Sequence, residues 1–188
     1  MIMSQIGKPV RREEDLRLLQ GRGRSLDDVT PMHQAHAVVV RSPVAHADIV
    51  SIDVTAALAS PGVLAVLTGD DLAERGLGTI GVLNPCDKMD GSPGFVRERP
   101  LLAQGRVRFV GEAVAFVVAE TLYQAKDAAE QIVFDFNALP VLASVDAALA
   151  DGAMALWDEN PDNQAYTFKR GDAAATDAAT AGAAQVVR

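Results

Sequence analysis

The side chains with chemistry to offer are few. His33 and His36 have an H-x-x-H spacing, and His46 is near them in sequence. A metal needs a third and usually a fourth donor converging on one point. The stretch from His33 to His36 reads as the entry to a strand, which would send the two rings to opposite faces. The single cysteine, Cys86, excludes an internal disulfide and by itself cannot hold zinc or an iron–sulfur cluster. Gly76-Leu77-Gly78-Thr79-Ile80-Gly81 matches G-x-G-x-x-G. A dinucleotide site needs a strand before that motif and a helix after it, so that backbone N–H groups face a pyrophosphate. Here a short helix is expected before it and Asn84-Pro85 follows, so it reads as a loop. Lys88, between Pro85 and Gly91, has the setting of a lysine at a hairpin tip, as in swinging-arm carrier domains. Strands on both sides are missing, which leaves an exposed loop lysine. Asp87-x-x-Asp90-Gly91 lacks the alternating oxygen ligands of a calcium loop. Glu13-Glu14 and Asp70-Asp71 read as solvated surface. No Ser-His-Asp set, H-E-x-x-H or Walker sequence occurs. No catalytic, cofactor-binding or metal-binding residue is assigned.

The elements that would carry any site are clearer. Strands are expected at Ala37–Val40, Ile49–Val54, Val63–Leu67, Val107–Val110, Ala113–Ala119 and Val133–Phe136, from β-branched runs and turn signals. Thr55–Ser60 reads as one helical turn before Pro61-Gly62. Thr68 is placed to cap a short helix over Asp70–Arg75. Thr121 and Gln124 have capping-box spacing, and Leu122, Ala125, Ala128, Ala129 and Ile132 share one helical face. Ser144–Ala150 is a second capped helix ending before Gly152. Between Gly76 and Pro100 the periodicity disappears, and a loop of that length is usually functional, disordered or covered by a partner. An arm (residues 1–30), a body (31–152) and a linker (153–188) follow from these shifts. The arm sets Lys8, Arg11, Arg12, Arg17, Arg22 and Arg24 among Glu13, Glu14, Asp15, Asp27 and Asp28, and reads as extended with at most one helical turn. The tail is rich in alanine, and Gln185-Val186-Val187-Arg188 looks like the start of a strand with nothing to pair with.

The whole has 188 residues, 49% hydrophobic and 22% charged, which suits one folded domain with appendages. A formal charge of −8 argues against nucleic acid or an anionic membrane as partner. No run reaches the roughly 20 apolar residues of a membrane span. Residues 1–15 have no apolar core of a leader, so a cytoplasmic protein is expected.

Several segments together resemble one family. They are Gly7-Lys8-Pro9-Val10-Arg11-Arg12-Glu13-Glu14-Asp15 with Gly21-Arg22-Gly23-Arg24 and Asp27-Asp28; Val40-Arg41-Ser42-Pro43 with Ala45-His46-Ala47; Pro61-Gly62-Val63 through Thr68-Gly69-Asp70-Asp71-Leu72; and Val107-Arg108-Phe109-Val110-Gly111-Glu112 running on to Thr121, Ala125 and Leu139-Pro140. The chain resembles the N-terminal α/β-hammerhead region of the molybdenum-binding large subunit of the xanthine dehydrogenase, aldehyde oxidase and carbon monoxide dehydrogenase family. Departures fall at Ser25, Val44 and Ala113, where the family favours an aromatic, a histidine and a proline. The resemblance implies an α+β fold: a curved, mostly antiparallel sheet with helices packed on it. It implies a role in a molybdenum hydroxylase, which adds an oxygen from water to a carbon centre. There a glutamate base, a molybdenum-bound hydroxyl and a sulfido group do the chemistry, and two [2Fe-2S] centres and FAD take the electrons. It places molybdopterin cytosine dinucleotide and that glutamate on domains beyond this one, so no residue here inherits a catalytic role. The implied partners are the molybdopterin-binding domains, the [2Fe-2S] subunit and the FAD subunit, with a homodimer allowed. The arm and the loop 76–99 are the segments that most need covering. The rival readings are a stand-alone binding module of the same fold and a carrier domain using Lys88.

Overall fold

The computed structural model describes Gly7 and residues 9–187. Lys8 of the arm and Arg188 of the expected terminal strand lie outside the described residues. The chain divides into two compact units, residues 1–35 and 36–188.

In the first unit, Asp15–Leu19 forms helix α1 and Leu26–Asp28 a 3-10 turn. Ser25 starts that turn, its N–H donating to the Asp28 carboxylate at 2.8 Å. The Ser25 carbonyl accepts the Asp28 N–H in return at 3.1 Å, so backbone groups make this turn where the resemblance implies an aromatic. Every described residue from Pro9 to Ala35 is exposed except the half-buried Gly23.

The second unit holds two antiparallel three-stranded sheets. The first orders β1 (His36–Arg41), β5 (Ala113–Ala119) and β3 (Val63–Thr68), with β5 central. The other orders β4 (Arg106–Val107), β2 (Ala47–Asp53) and β6 (Val133–Ala138), with β2 central. The antiparallel sheet expected from the sequence is thus divided in two. Val40, Ile52 and Phe134 join the halves, because each packs against the buried residues of both core clusters.

Helix α4 (Leu122–Ala129) covers one face of the first sheet together with the turn α2 (Thr55–Leu58). The contact is made of small residues: Ala57, Ala115, Ala119, Ala125 and Ala128 are fully buried. Thr121 caps α4, its hydroxyl accepting the Gln124 N–H. The reciprocal half of the expected box does not form. The Gln124 side chain instead accepts from the Thr121 hydroxyl at 2.8 Å and lies over Gly62, where a Cβ would sit 2.1 Å from its amide nitrogen. The full reciprocal box occurs at α3 (Gly69–Glu74), where Thr68 and Asp71 each bond the other's backbone N–H.

Two further segments differ from the sequence reading. The strand expected over Val107–Val110 pairs only at Arg106–Val107. Beyond it the Arg108 N–H turns to the Glu112 carboxylate at 2.6 Å, and Gly111 takes φ +85°. That turn ends pairing and leaves Phe109 and Val110 exposed. The alanine-rich tail contains helix α6 (Ala173–Ala181), capped by Asp172 on the Ala175 N–H. Alanine has the best helix propensity, and the cap supplies the start signal. Gln185–Val187 form no strand. The short helix at Ser144 is α5 (Val145–Ala148), with the Ser144 hydroxyl on the Ala147 N–H.

Gly69 is fixed by space. A Cβ there would lie 2.2 Å from the Ala103 carbonyl oxygen, a backbone atom. Gly69→Ala is expected to lower stability by at least about 2 kcal/mol in thermal or denaturant unfolding. Gly78→Ala, with nothing within 4 Å, is expected to stay within about 0.5 kcal/mol of the parent. Hydrogen bonds from the Thr68 N–H and hydroxyl hold the Asp71 carboxyl below the usual carboxylate range. Such a group stabilises the fold above its unfolded pKa, and the gain is lost as pH falls through the lowered folded value. The stability gap between the parent and Asp71→Asn is therefore expected to be full at neutral pH and to close below about pH 4.

Candidate functional site

A cluster of charged and aromatic side chains joins three stretches distant in sequence. Arg106 lies in β4 and Arg108 just past its end, Arg97 comes from the end of the long loop, and Trp157 follows α5. The Arg108 guanidinium lies 3.5 Å from the centroid of the Trp157 ring, and that of Arg97 lies at 5.0 Å. Phe95 packs on the same indole at 6.4 Å between centroids. Arg108 also donates from Nε to the Leu156 carbonyl at 2.8 Å and from Nη1 to the Arg106 carbonyl at 3.2 Å. Arg106 bonds Asp48 of β2 at 2.6 Å and reaches Asp158 at 3.4 Å. Arg97 pairs with Glu159 at 3.2 Å.

The electrostatics follow from these contacts. Burial pulls the Arg108 guanidinium below the usual arginine value, against the attraction of Glu112. The hydrogen bond to Asp48 raises Arg106. Both guanidinium groups stay charged at any physiological pH. A guanidinium over a partly buried indole contributes about 0.5–2 kcal/mol. The cluster clamps residues 154–163 to the body. Asn163 completes that clamp at φ +55°, its side chain joining the Leu156 N–H and the Ala148 and Met154 carbonyls. Beside it lies a cleft of about 350 Å³ lined by Thr79, Arg97, Glu98, Gln104, Arg108 and Trp157.

The sequence did not single out this cluster. Trp157 is some fifty residues from the arginines that meet it, and its being the sole tryptophan is the one local mark it carries. The residues that the sequence did weigh lie elsewhere. Gly76 ends α3 with φ +68°, and Ile80 pairs with Arg99 in a two-residue bridge, so the glycine motif neither follows a strand nor opens a helix. Lys88 sits in a tight turn, its N–H on the Ser92 carbonyl at 2.8 Å and its ammonium 3.8 Å from Asp162. Asp90 bonds the Ser92 N–H and hydroxyl, and Cys86 is exposed. The loop as a whole is fastened at Phe95 N–H to Ala165 and at Met89 N–H to the Thr167 hydroxyl.

His33 occupies a turn at φ +61°, and His36 begins β1. His46 is buried, with Nδ1 2.7 Å from the Pro140 carbonyl. A carbonyl only accepts, so Nδ1 carries the proton and donates. Nε2 has no partner among the described residues. With the Leu139 N–H on the His46 carbonyl, this ring holds the exit of β6 against the entry of β2. No three His, Cys, Asp or Glu side chains among the described residues converge as an ion site.

The comparisons place this geometry. Residues 20–140 match the family model described as "Aldehyde oxidase and xanthine dehydrogenase, a/b hammerhead domain". The nicotine 6-hydroxylase large subunit of Paenarthrobacter nicotinovorans is 40% identical over 160 residues, which is 84% of this chain and 18% of that one. The carbon monoxide dehydrogenase large chain of Hydrogenophaga pseudoflava is 35% identical over 184 residues, 91% of this chain and 21% of that one. Among solved structures, quinoline 2-oxidoreductase from Pseudomonas putida 86 aligns with 43% identity and a TM-score of 0.68 over 78% of this chain. Carbon monoxide dehydrogenase from Oligotropha carboxidovorans aligns at 34% identity and a TM-score of 0.73, over 94% of this chain and 22% of that chain.

Arg108→Gln is expected to lower stability by about 1–3 kcal/mol and to shift the emission of Trp157, the sole tryptophan, to the red as its cover is lost. Arg97→Gln, farther from the ring and half exposed, is expected to change both by less. Equal effects from the two would remove the special role of Arg108. The matched domain and the shared fold show that this chain belongs to the α/β-hammerhead family of aldehyde oxidases and xanthine dehydrogenases, of whose large subunits it spans a small part.

Proposed function

We propose that the chain is the hammerhead portion of a molybdenum hydroxylase large subunit. It does no chemistry of its own; it scaffolds the molybdenum-binding domains and contacts the iron–sulfur and flavin subunits. The relatives support this reading by their names, which include large subunits, a molybdenum-binding subunit and a subunit of a dehydrogenase complex. The observation that carries the contact role is the arm. Val10, Leu16, Leu18, Leu19 and Leu26 are all at least 55% exposed, interleaved with both signs of charge. An apolar series with a charged surround is what a protein interface uses.

Residues 1–30 act as this contact arm, 31–152 as the body, and 153–188 lead toward the molybdopterin-binding domain. The expected cofactors of the complex are molybdopterin cytosine dinucleotide, [2Fe-2S] and FAD. The residues present do not fit a [2Fe-2S] centre, which needs four ligands where the chain has one cysteine. No step of the reaction is assigned to this chain. No helix of the described residues is long and apolar enough to cross a membrane. The cytoplasm is the compartment proposed, and the substrate is left to residues outside this domain.

The test is co-purification of the tagged chain, expressed with the molybdenum, iron–sulfur and flavin polypeptides. The parent is expected to bring down the iron–sulfur and flavin polypeptides. A triple change of Leu16, Leu19 and Leu26 to Ser is expected to lose at least one of them, with circular dichroism unchanged. Full recovery of both with the triple variant would remove the arm from the interface.

A further inference from the structure

The first sheet has two faces, and only one has a partner. Ala115, Val117 and Ala119 of β5 turn inward to α4 and α2, with Val66 of β3 beside them. The register then fixes the outer face. Val39, Phe116 and Leu67 stand opposite one another in one row, and Ala37, Val118 and Ala65 in the next. All six are apolar, although a sheet face left to water normally alternates to polar side chains. Leu72 of α3 with Leu101 and Leu102 walls one side, and a groove of about 420 Å³ runs between. The charged group on its lining is Arg41, whose Nη1 is tied to the Gly111 carbonyl at 2.8 Å. Val39 and Leu101 are 38% and 45% exposed, so the face is open in this chain.

Size and chemistry select the occupant. Three strands about 4.8 Å apart and two same-face rows about 6.8 Å apart span roughly 200 Å². A stable dimer covers about 800 Å² per partner, so a second copy is not held by this face alone. A patch that small is sufficient for a segment of the same polypeptide, because tethering replaces the association cost by an effective concentration. A lining that is apolar apart from Arg41 fits a permanent contact, which resembles a domain core cut in half. The relatives supply such a segment: this chain spans 18% to 22% of their large subunits.

We propose that the outer face of the β1–β5–β3 sheet is the intramolecular docking surface for the molybdenum-binding portion of the large subunit. This rests on the scaffold reading above and adds the face that carries it. The arm serves separate subunits through mixed polar and apolar contacts, and this face serves the same polypeptide through apolar contacts alone.

The test uses the full-length large subunit, in which this domain and the molybdenum-binding portion stay on one polypeptide, and follows how fast limited proteolysis frees an N-terminally tagged fragment of about this domain's size. Val39→Glu and Ala37→Glu put a charge on the outer face at the sheet edge. Val50→Glu, on the other sheet and 61% exposed, is the control. The expected result is about tenfold faster release of that fragment with each outer-face variant and little change with Val50→Glu. Melting of the three variants as isolated 188-residue chains should stay within a few degrees of the parent, which separates lost docking from lost folding. Equal release from Val39→Glu, Ala37→Glu and the parent would overturn the docking face and leave the scaffold reading standing. Fully independent melting of the two portions in the parent large subunit would overturn both. A dimer of the parent that Val39→Glu turns into a monomer would make a second copy the occupant and overturn the proposal.

Discussion

The fold depends on how closely α4 approaches β5. Alanines supply the contact on both sides, Ala125 and Ala128 from the helix and Ala115 and Ala119 from the strand. Such a seam gains little per side chain, since an alanine buries few apolar atoms. What it supplies is proximity: the helix backbone sits low on the sheet, and the larger Val117, Val66 and Ile132 fill the margins. A bulkier residue at a fully buried alanine would lift α4 and cost about 1–3 kcal/mol by overpacking. The seam also positions Thr121, whose cap starts the helix just where β5 ends. Strand, cap and helix are thus one constraint seen at three positions.

That constraint orients everything beyond the seam. With α4 fixed on one face, alternation along β5 sends Phe116 and Val118 to the other. A bulge at Val40 and Arg41 then lets the same strands reach the second core, where Val114, Val107 and Ala47 are buried. Val40, Ile52 and Phe134 tie the two cores together. The Arg108 clamp hangs from the edge of the body. It depends on β4 being short, because a longer strand would keep the Arg108 N–H in the ladder and away from Glu112.

Much of this was legible in the residues. The β-branched runs located β1, β3, β5 and β6, and the hydroxyl caps located α3, α4 and α5, because both signals act within a few residues of themselves. Three features were not legible. The division into two sheets depends on bulges, which leave no mark in composition. The early end of β4 depends on a side chain reaching back from Glu112 to Arg108, against the strand signal of Val107-Arg108-Phe109-Val110. The clamp around Trp157 needs Arg97, Arg108 and Leu156 to meet, and local pattern does not report contacts between such distant residues.

Glu112 shows why a motif should be read through its bonds. A glutamate directly after a glycine in a turn invites a catalytic reading. Its carboxylate is already engaged, accepting the Arg108 N–H at 2.6 Å four residues back. It lies near the guanidinium of Arg108 and supports that charge. Its work here is to close the turn that ends β4, and through that turn to aim Arg108 at the indole. The carboxylate that closes this turn is therefore part of the domain's architecture.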